Sequence, residues 1–384
     1  MKVMSILGIR PDWIKMKTVL WELDRRDLEH IMVHTGQHYS YNLDRVFFEE
    51  LQIRKPDYHL EVGSGTQGQQ TARIIERSEK VIVQEKPNVV VVFGDSNSSL
   101  AAVAAAKMNM RVAHIEAGMR AYDWRMPEEK NKRIVDHISS LLFVYTRWQR
   151  DNLIREEIHP RKIHVVGNPT VDVIKQFCGK AKENAMGRRL AVEPRDYFLV
   201  TAHRAENVDD KKALRSILRS LELVYRRFGK RVIWSLYPRT KKRIDQFHLR
   251  IPRGVETFEP MGFFEFLNLE MNALCAITDS GTVQEETCIL NVPCVVIRLS
   301  TERPETIVLG SSIVAGLEPS NVLKCVELML RRKTNWEHPY GDGKTGKRVA
   351  GILERSARWS LLKEALEEAA RDKRRRICFT PFVC

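Results

Sequence analysis

Three acidic residues stand out because of where they fall: Asp95 in Gly94-Asp95-Ser96-Asn97-Ser98, Glu116 in His114-Ile115-Glu116-Ala117-Gly118, and Glu128 in Pro127-Glu128-Glu129. Each lies at or just beyond the end of a run that reads as a β-strand. Taken singly, such an acid reads as a helix cap or a solvated carboxylate, and Asp95 sits where an N-cap would. Three converging carboxylates raise one another's proton affinity and suit proton transfer. A second set is cationic or hydrogen-bonding. Gly8-Ile9-Arg10-Pro11-Asp12, followed by Lys15, combines a glycine for close approach, a proline for the first helical turn and two cations at a helix start, so Arg10 and Lys15 are candidate phosphate contacts. Thr201 to Asn207 follows a strand and offers His203, Arg204, Glu206 and Asn207. Thr278 to Glu286 crosses a strand-to-helix turn, where Ser280 and Gly281 present a hydroxyl and free N–H groups suited to a diphosphate. Glu286, about one turn further on, is a candidate acceptor for ribose hydroxyls.

The elements that must position these residues alternate between β-branched runs and helical patterns, as in a parallel sheet covered by helices. The expected order is strand Val3–Gly8, helix Asp12–Asp24, strand Ile31–Thr35, a helix around Leu43–Leu51, strand Asn88–Phe93, helix Ser98–Met108 and strand Arg111–Ile115. Asn88–Phe93 is apolar without alternation, the pattern of a strand buried on both faces. A strand at Lys162–Val166 leads to a turn at Gly167-Asn168-Pro169, and a hinge is expected within the charged stretch Lys180–Glu193. The alternation then restarts with strands Tyr197–Thr201, Val232–Leu236, Leu274–Thr278 and Cys294–Ile297, and helix Thr282–Leu290. The fold class is therefore α/β, with two Rossmann-like domains facing across a cleft and ligands at the carboxyl ends of the strands. Residues 1–170 form the N-terminal domain with the carboxylates, 171–350 the C-terminal nucleotide-binding domain, and 351–384 a terminal helix and basic tail. In that last part, Trp359, Leu362 and Leu366 share one helical face.

Composition narrows the class. The chain has 384 residues, 43% hydrophobic and 29% charged, a soluble globular profile with no apolar stretch near the ~20 residues that span a bilayer. Seven cysteines without CxxC spacing argue for a reducing, cytoplasmic compartment and against a structural zinc. The net charge of +14 is spread along the chain, apart from Arg371, Lys373, Arg374, Arg375 and Arg376. That cluster reads as a solvated tail, not as a nucleic-acid contact.

The ordered motifs GIRPD, HTGQH, GDSNSS, HIEAG, PEE, GNP, TAHRAEN, TDSGTVQEE and STERPE resemble the non-hydrolysing UDP-N-acetylglucosamine 2-epimerases, from about Lys2 to Arg348. The resemblance implies a glycosyltransferase-B fold, a homodimer, a UDP-sugar substrate and no metal or nicotinamide. It implies anti elimination of UDP to a 2-acetamidoglucal, followed by readdition with protonation of carbon 2 from the other face. By motif position, Asp95, Glu116, Glu128 and His203 fall in the catalytic set. Arg10, His203, Ser280 and Gly281 match diphosphate contacts, Glu286 a ribose contact and Phe266 a uracil contact. Arg303, beside Glu302, lies in a family segment without an assigned role.

The chain departs from the family pattern in places. Ile9 and Asp12 stand where GTRPE is common, and Lys132 stands where an arginine is usual, with Arg133 beside it as a potential substitute. In bacterial members a second substrate molecule acts as activator. Gln37 and Gln70 match residues of that second site, whereas Gln69 and Ser235 replace its arginine and histidine. GTVQEE and Val135-Asp136-His137 resemble relatives acting on other UDP-2-acetamido sugars, 6-deoxy or uronate, so the carbon 6 substituent stays open. The competing readings are a retaining UDP-sugar glycosyltransferase on the same fold, a hydrolysing epimerase and a basic binding protein.

Overall fold

A computed structural model describes residues 1–36, 48–184 and 186–356. Gln37, most of the expected helix Leu43–Leu51, Trp359, Leu362, Leu366 and the basic and cysteine-containing tail lie outside the described residues.

Two parallel sheets organise the chain. The first runs β3-β2-β1-β4-β5-β6-β7. Its strands are β1 (Lys2–Leu7), β2 (Glu29–His34), β3 (Tyr58–His59), β4 (Val89–Phe93), β5 (Arg111–Ile115), β6 (Leu141–Val144) and β7 (Ile163–Val165). The second runs β10-β9-β8-β11-β12-β13. It is built from β8 (Tyr197–Thr201), β9 (Arg231–Ser235), β10 (Val255–Phe258), β11 (Cys275–Thr278), β12 (Cys294–Val296) and β13 (Ser312–Val314). In β1 and β4 successive residues enter opposite cores: Val3, Leu7, Val89, Val91 and Phe93 pack on one face, and Met4, Ile6, Val90 and Val92 on the other. The two-residue period of a strand with both faces covered explains why Val89–Phe93 carries no polar residue. The second sheet divides in the same way, Phe198 and Val200 against Tyr197 and Leu199.

The strand order reverses between β1 and β4 in one sheet and between β8 and β11 in the other. Chain leaving these neighbours splays to opposite sides and opens a crevice. The segments Gly8–Asp12 and Gly94–Ser98 follow β1 and β4, and Ala202–Asn207 and Asp279–Gly281 follow β8 and β11, so all four motifs sit at switch points.

Three expectations are corrected. The helix expected over Ser98–Met108 begins as a 3-10 turn, Asn97–Leu100, and is α-helical only over Ala101–Lys107, because Ser99 closes a short turn onto the Ser96 carbonyl. The expected hinge stretch is largely helical, with helix Pro169–Glu183 running into it and Met186–Arg189 following. Strands β3, β6, β10 and β13, of two to four residues, have no counterpart in the sequence reading. Runs this short carry too few residues to establish a period.

Much of the chain packs across the two sheets. Val173, Ile174 and Phe177 of helix Pro169–Glu183, Phe263 and Leu267 of helix Phe263–Asn272, and Val349, Ala350 and Leu353 of helix 345–356 share one core with Val3, Leu7 and Trp13. Arg26 Nη1 donates to Glu354 Oε2 (2.6 Å), fastening the last described helix to the N-terminal lobe.

Candidate active site between the lobes

The N-terminal half of the site is a set of carboxylates held by backbone and buried cations. A Cβ on Gly8 would lie 1.7 Å from Ser98 Oγ, so only glycine lets the end of β1 approach the loop after β4. The next turn is closed by Asp12, whose Oδ2 accepts the Gly8 and Ile9 N–H groups (3.2 and 3.1 Å). Burial, with Asp95 and Glu116 nearby, pushes Asp12 up to about 7 despite those donors. Asp95 lies 2.7 Å from Lys132 Nζ, and Lys132 is fully buried. Burial alone would raise Asp95, but the Lys132 ammonium outweighs it and holds the carboxyl below its ordinary range. At Glu128 burial, reinforced by Asp95, outweighs the field of Arg204 and raises it.

Glu116 takes a left-handed backbone conformation, φ +72°, which a non-glycine residue adopts only when its surroundings impose it. Those surroundings are visible. His114 bridges Asp136 Oδ1 (2.7 Å) and the Gly94 carbonyl (2.8 Å), and Asp136 Oδ2 accepts the Gly118 N–H (3.1 Å). The Glu116 side chain receives Tyr145 Oη (2.7 Å), Lys15 Nζ (3.0 Å) and Arg303 Nη2 (3.3 Å).

The C-terminal half is built around Asp279 at the end of β11. Its carboxylate accepts the His203 and Arg204 N–H groups and Asn207 Nδ2, at 3.0–3.1 Å, so the loop after β8 is clamped to the loop after β11. His203 packs against Tyr237 with the rings tilted by 40° and centroids 4.7 Å apart. Burial lowers its imidazole more than Asp279 raises it, so it is neutral near pH 7. Ser280 caps helix Gly281–Ile289, its hydroxyl taking the Val283 N–H. The Gly281 and Thr282 amides therefore have no intrahelical acceptor, the arrangement that favours an anion. Gly281 is also sterically obligatory, because a Cβ there would meet Arg303 Nη1 at 2.4 Å.

Across the gap the two halves meet through charge. Arg204 lies within the fields of Glu302, Glu206 and Glu128, and Arg303 within those of Glu285, Glu302, Glu116 and Asp95. Arg10 Nη2 donates to the Met261 carbonyl of the C-terminal lobe (2.7 Å).

The other expected site residues differ in their surroundings. Lys15 does not stand open to a phosphate: it is buried, with its ammonium shared between Glu116 and Glu285. Asn207 is likewise buried, its amide taken by Asp279 and the Ile297 carbonyl. Arg303 is buried among three carboxylates. Arg133 does not substitute for an arginine at 132, since it pairs with Glu129 and Glu156. Glu286 is buried beside Glu285, and burial pushes it up to about 8. Glu206 is exposed, 3.7 Å from Arg204. Phe266 is half-buried against Val283 and Val296. Gln70 accepts from Asn97 and donates to the Gly63 carbonyl, Gln69 closes a capping box with Thr66, and Ser235 is buried at the end of β9. Sequence reasoning gave no role to Tyr145, Asp279, Glu285 and Arg298. Of these, only Asp279 and Glu285 lie inside a motif that flagged them.

The UDP-N-acetylglucosamine 2-epimerase family model matches residues 22–354. The chain belongs to this family. A curated UDP-N-acetylglucosamine 2-epimerase of Methanocaldococcus jannaschii is 46% identical over 92% of this chain and 99% of its own length. The crystal structure of M. jannaschii UDP-GlcNAc 2-epimerase in complex with UDP-GlcNAc and UDP has a TM-score of 0.89 at 45% identity, covering 92% of this chain and 100% of that one. A UDP-2,3-diacetamido-2,3-dideoxy-D-glucuronate 2-epimerase of Pseudomonas aeruginosa is 37% identical over 92% of this chain and 99% of its own. The fold is thus the two-domain glycosyltransferase-B type expected from the motifs.

Proposed function

We propose that the protein interconverts UDP-N-acetylglucosamine and UDP-N-acetylmannosamine by anti elimination and readdition of UDP through a 2-acetamidoglucal. One observation carries the reading: the carboxylates at the N-terminal switch point stand opposite Arg204, His203 and the capped helix start of the C-terminal switch point. A hydrogen on carbon 2 of an intact glycoside is activated by no carbonyl. It leaves only as the carbon 1–oxygen bond breaks and the ring gains positive charge. As the base takes that hydrogen, the carbon 2–hydrogen pair becomes the ring double bond and the carbon 1–oxygen pair departs on UDP.

Asp95, held ionised by Lys132, accepts the proton of the gluco sugar. Glu128, whose raised proton affinity suits a donor, protonates carbon 2 from the other face. Glu116 sets negative charge beside the developing cation. The Gly281 and Thr282 amides, Arg10 and neutral His203 hold the diphosphate, Glu286 the ribose and Phe266 the uracil. In this reading residues 1–170 work on the sugar, with Arg10 alone reaching the diphosphate, and 171–350 grip the nucleotide, in a cytoplasmic homodimer.

Incubation with UDP-N-acetylglucosamine in deuterium oxide should give a gluco/manno mixture labelled at carbon 2. Unlabelled sugar after prolonged incubation with folded protein refutes the substrate. The 37% identity to the diacetamido-glucuronate enzyme favours a second reading, a UDP-2-acetamido sugar altered at carbons 3 and 6. NMR rates on the two sugars side by side decide between them.

A further inference from the structure

Four buried charged side chains close a ring between the lobes. Lys15 Nζ contacts Glu116 Oε2 (3.0 Å) and Glu285 Oε2 (2.9 Å). Arg303 contacts Glu285 Oε1 through Nε (2.8 Å) and Glu116 Oε1 through Nη2 (3.3 Å). Lys15 and Glu116 belong to the N-terminal lobe, Glu285 and Arg303 to the C-terminal lobe. Side-chain exposure is 5% or less throughout, and Glu285 has none. Two positive and two negative charges cancel, and each carboxylate oxygen has a cation. Removing one member would leave a net uncompensated charge buried in the ring, the costly way to break a buried pair.

Glu285 is the member whose position has a consequence. It lies on helix Gly281–Ile289, which starts at the proposed diphosphate site and carries Glu286, the proposed ribose contact, as the next residue. The helix is packed on every side: Gly281, Val283, Gln284, Glu285, Glu286, Thr287 and Cys288 are all buried. A rigid helix seated by the nucleotide thus fixes Glu285, and Glu285 fixes the two cations that grip Glu116.

We propose that Glu285 is a positioning residue that couples nucleotide seating in the C-terminal lobe to the placement of Glu116 in the N-terminal lobe, acting through Lys15 and Arg303. The inference rests on the epimerase reading above. It requires Glu285 to act on turnover and not on nucleotide affinity, because its carboxylate faces Lys15 and Arg303.

The test is a double-mutant cycle of Glu285→Gln and Lys15→Met, read as kcat, KM, UDP affinity by calorimetry and carbon 2 deuterium incorporation. A displacement near 1 Å at the reacting groups costs about 100-fold, so Glu285→Gln should lower kcat by about that factor while KM and UDP affinity stay within about threefold. The double variant should be no slower than the slower single, since both substitutions break one connection. Unchanged kcat, a loss carried by KM or UDP affinity, or multiplicative single effects overturn the proposal. Should Glu285→Gln not fold, Glu285→Asp carries the test. It keeps the charge but retracts it by one methylene, so kcat should fall at least about tenfold with UDP affinity retained, and wild-type kcat overturns the inference. Wild-type protein that incorporates no label defeats the epimerase reading and this inference together. A labelled wild type with multiplicative variants defeats the coupling alone.

Discussion

Lys132→Met tests whether the Asp95 carboxylate depends on its neighbour. Lys132 is fully buried, 2.7 Å from Asp95 Oδ2 and 4.0 Å from Glu302 Oε1. Glu302 keeps Arg298 and Arg303 after the substitution, whereas Asp95 loses its close cation. Opposite charges at this range attract by on the order of 4–6 kcal/mol at an effective dielectric near 20. Asp95 retains 24% side-chain exposure and lies in the field of Arg204, so solvent and that second cation absorb part of the loss. About half of the attraction, roughly 2–3 kcal/mol, then moves the acid limb of the rate profile up by about 1.5–2 pH units, a roughly 30- to 150-fold fall in kcat/KM on that limb and little loss at neutral pH. The sign of the pH effect follows from the balance on Asp95. Burial raises it and Lys132 lowers it, so without Lys132 the proton is held to higher pH. The defect should therefore be largest on the acid side and shrink as pH rises from about 4 to 8, with UDP affinity unchanged. Steady-state rates across that range, with UDP calorimetry alongside, measure both. A deficit equal at every pH, or lost UDP binding, refutes the reasoning.

Asp95→Asn and Glu128→Gln should fail at different steps. With the gluco sugar, the first should block deuterium entry and glucal formation with UDP affinity kept. The second should release UDP and accumulate 2-acetamidoglucal, as NMR would detect, and identical behaviour of the two rejects separate roles. Glu286→Gln should flatten the pH dependence of stability in the ligand-free protein. A folded-state value of about 8 means that the Glu286 contribution is fully present below the unfolded-state range near pH 4 and is lost as pH rises toward and through 8, at up to about 1.4 kcal/mol per pH unit. Thermal midpoints between pH 5 and 9 should fall less in the variant, and parallel curves contradict the burial argument.

The sheets were legible where strands were long. Val89–Phe93 gives five buried residues feeding two cores, and no other element explains that composition. The edge strand Val255–Phe258 reads apolar, polar, polar, apolar, without a two-residue period, and Ser312–Val314 is shorter still, so neither stands out from a loop. The motifs announced their place because glycine and polar residues directly after buried strands have few other uses. Partnerships were not legible. Lys15 and Glu285 are 270 positions apart, and no spacing rule links them. Helix Arg10–Asp24 added to the difficulty. It buries Asp12, Lys15 and Lys17 alongside Trp13 and Met16, so a cation there could not be assigned to solvent or interior from a one-sided apolar pattern.

The uneven treatment of the acids fits what the proposed elimination demands. In a cleft that excludes water, an acid left alone takes up a proton, while an acid beside a buried cation stays charged. Asp95 has Lys132, and Glu302 has Lys132, Arg204, Arg298 and Arg303, which hold it well below the ordinary carboxylate range although burial opposes them. At Glu128 burial and Asp95, which raise it, outweigh Arg204, which lowers it. A reaction that removes a proton from one face of carbon 2 and returns one to the other needs this asymmetry, because two equally charged acids could accept but not donate. Arg204 of the C-terminal lobe lowers both acids, so it does not distinguish them. The difference between the proposed acceptor and donor is therefore set within the N-terminal lobe, by the Lys132 ammonium that lies against Asp95.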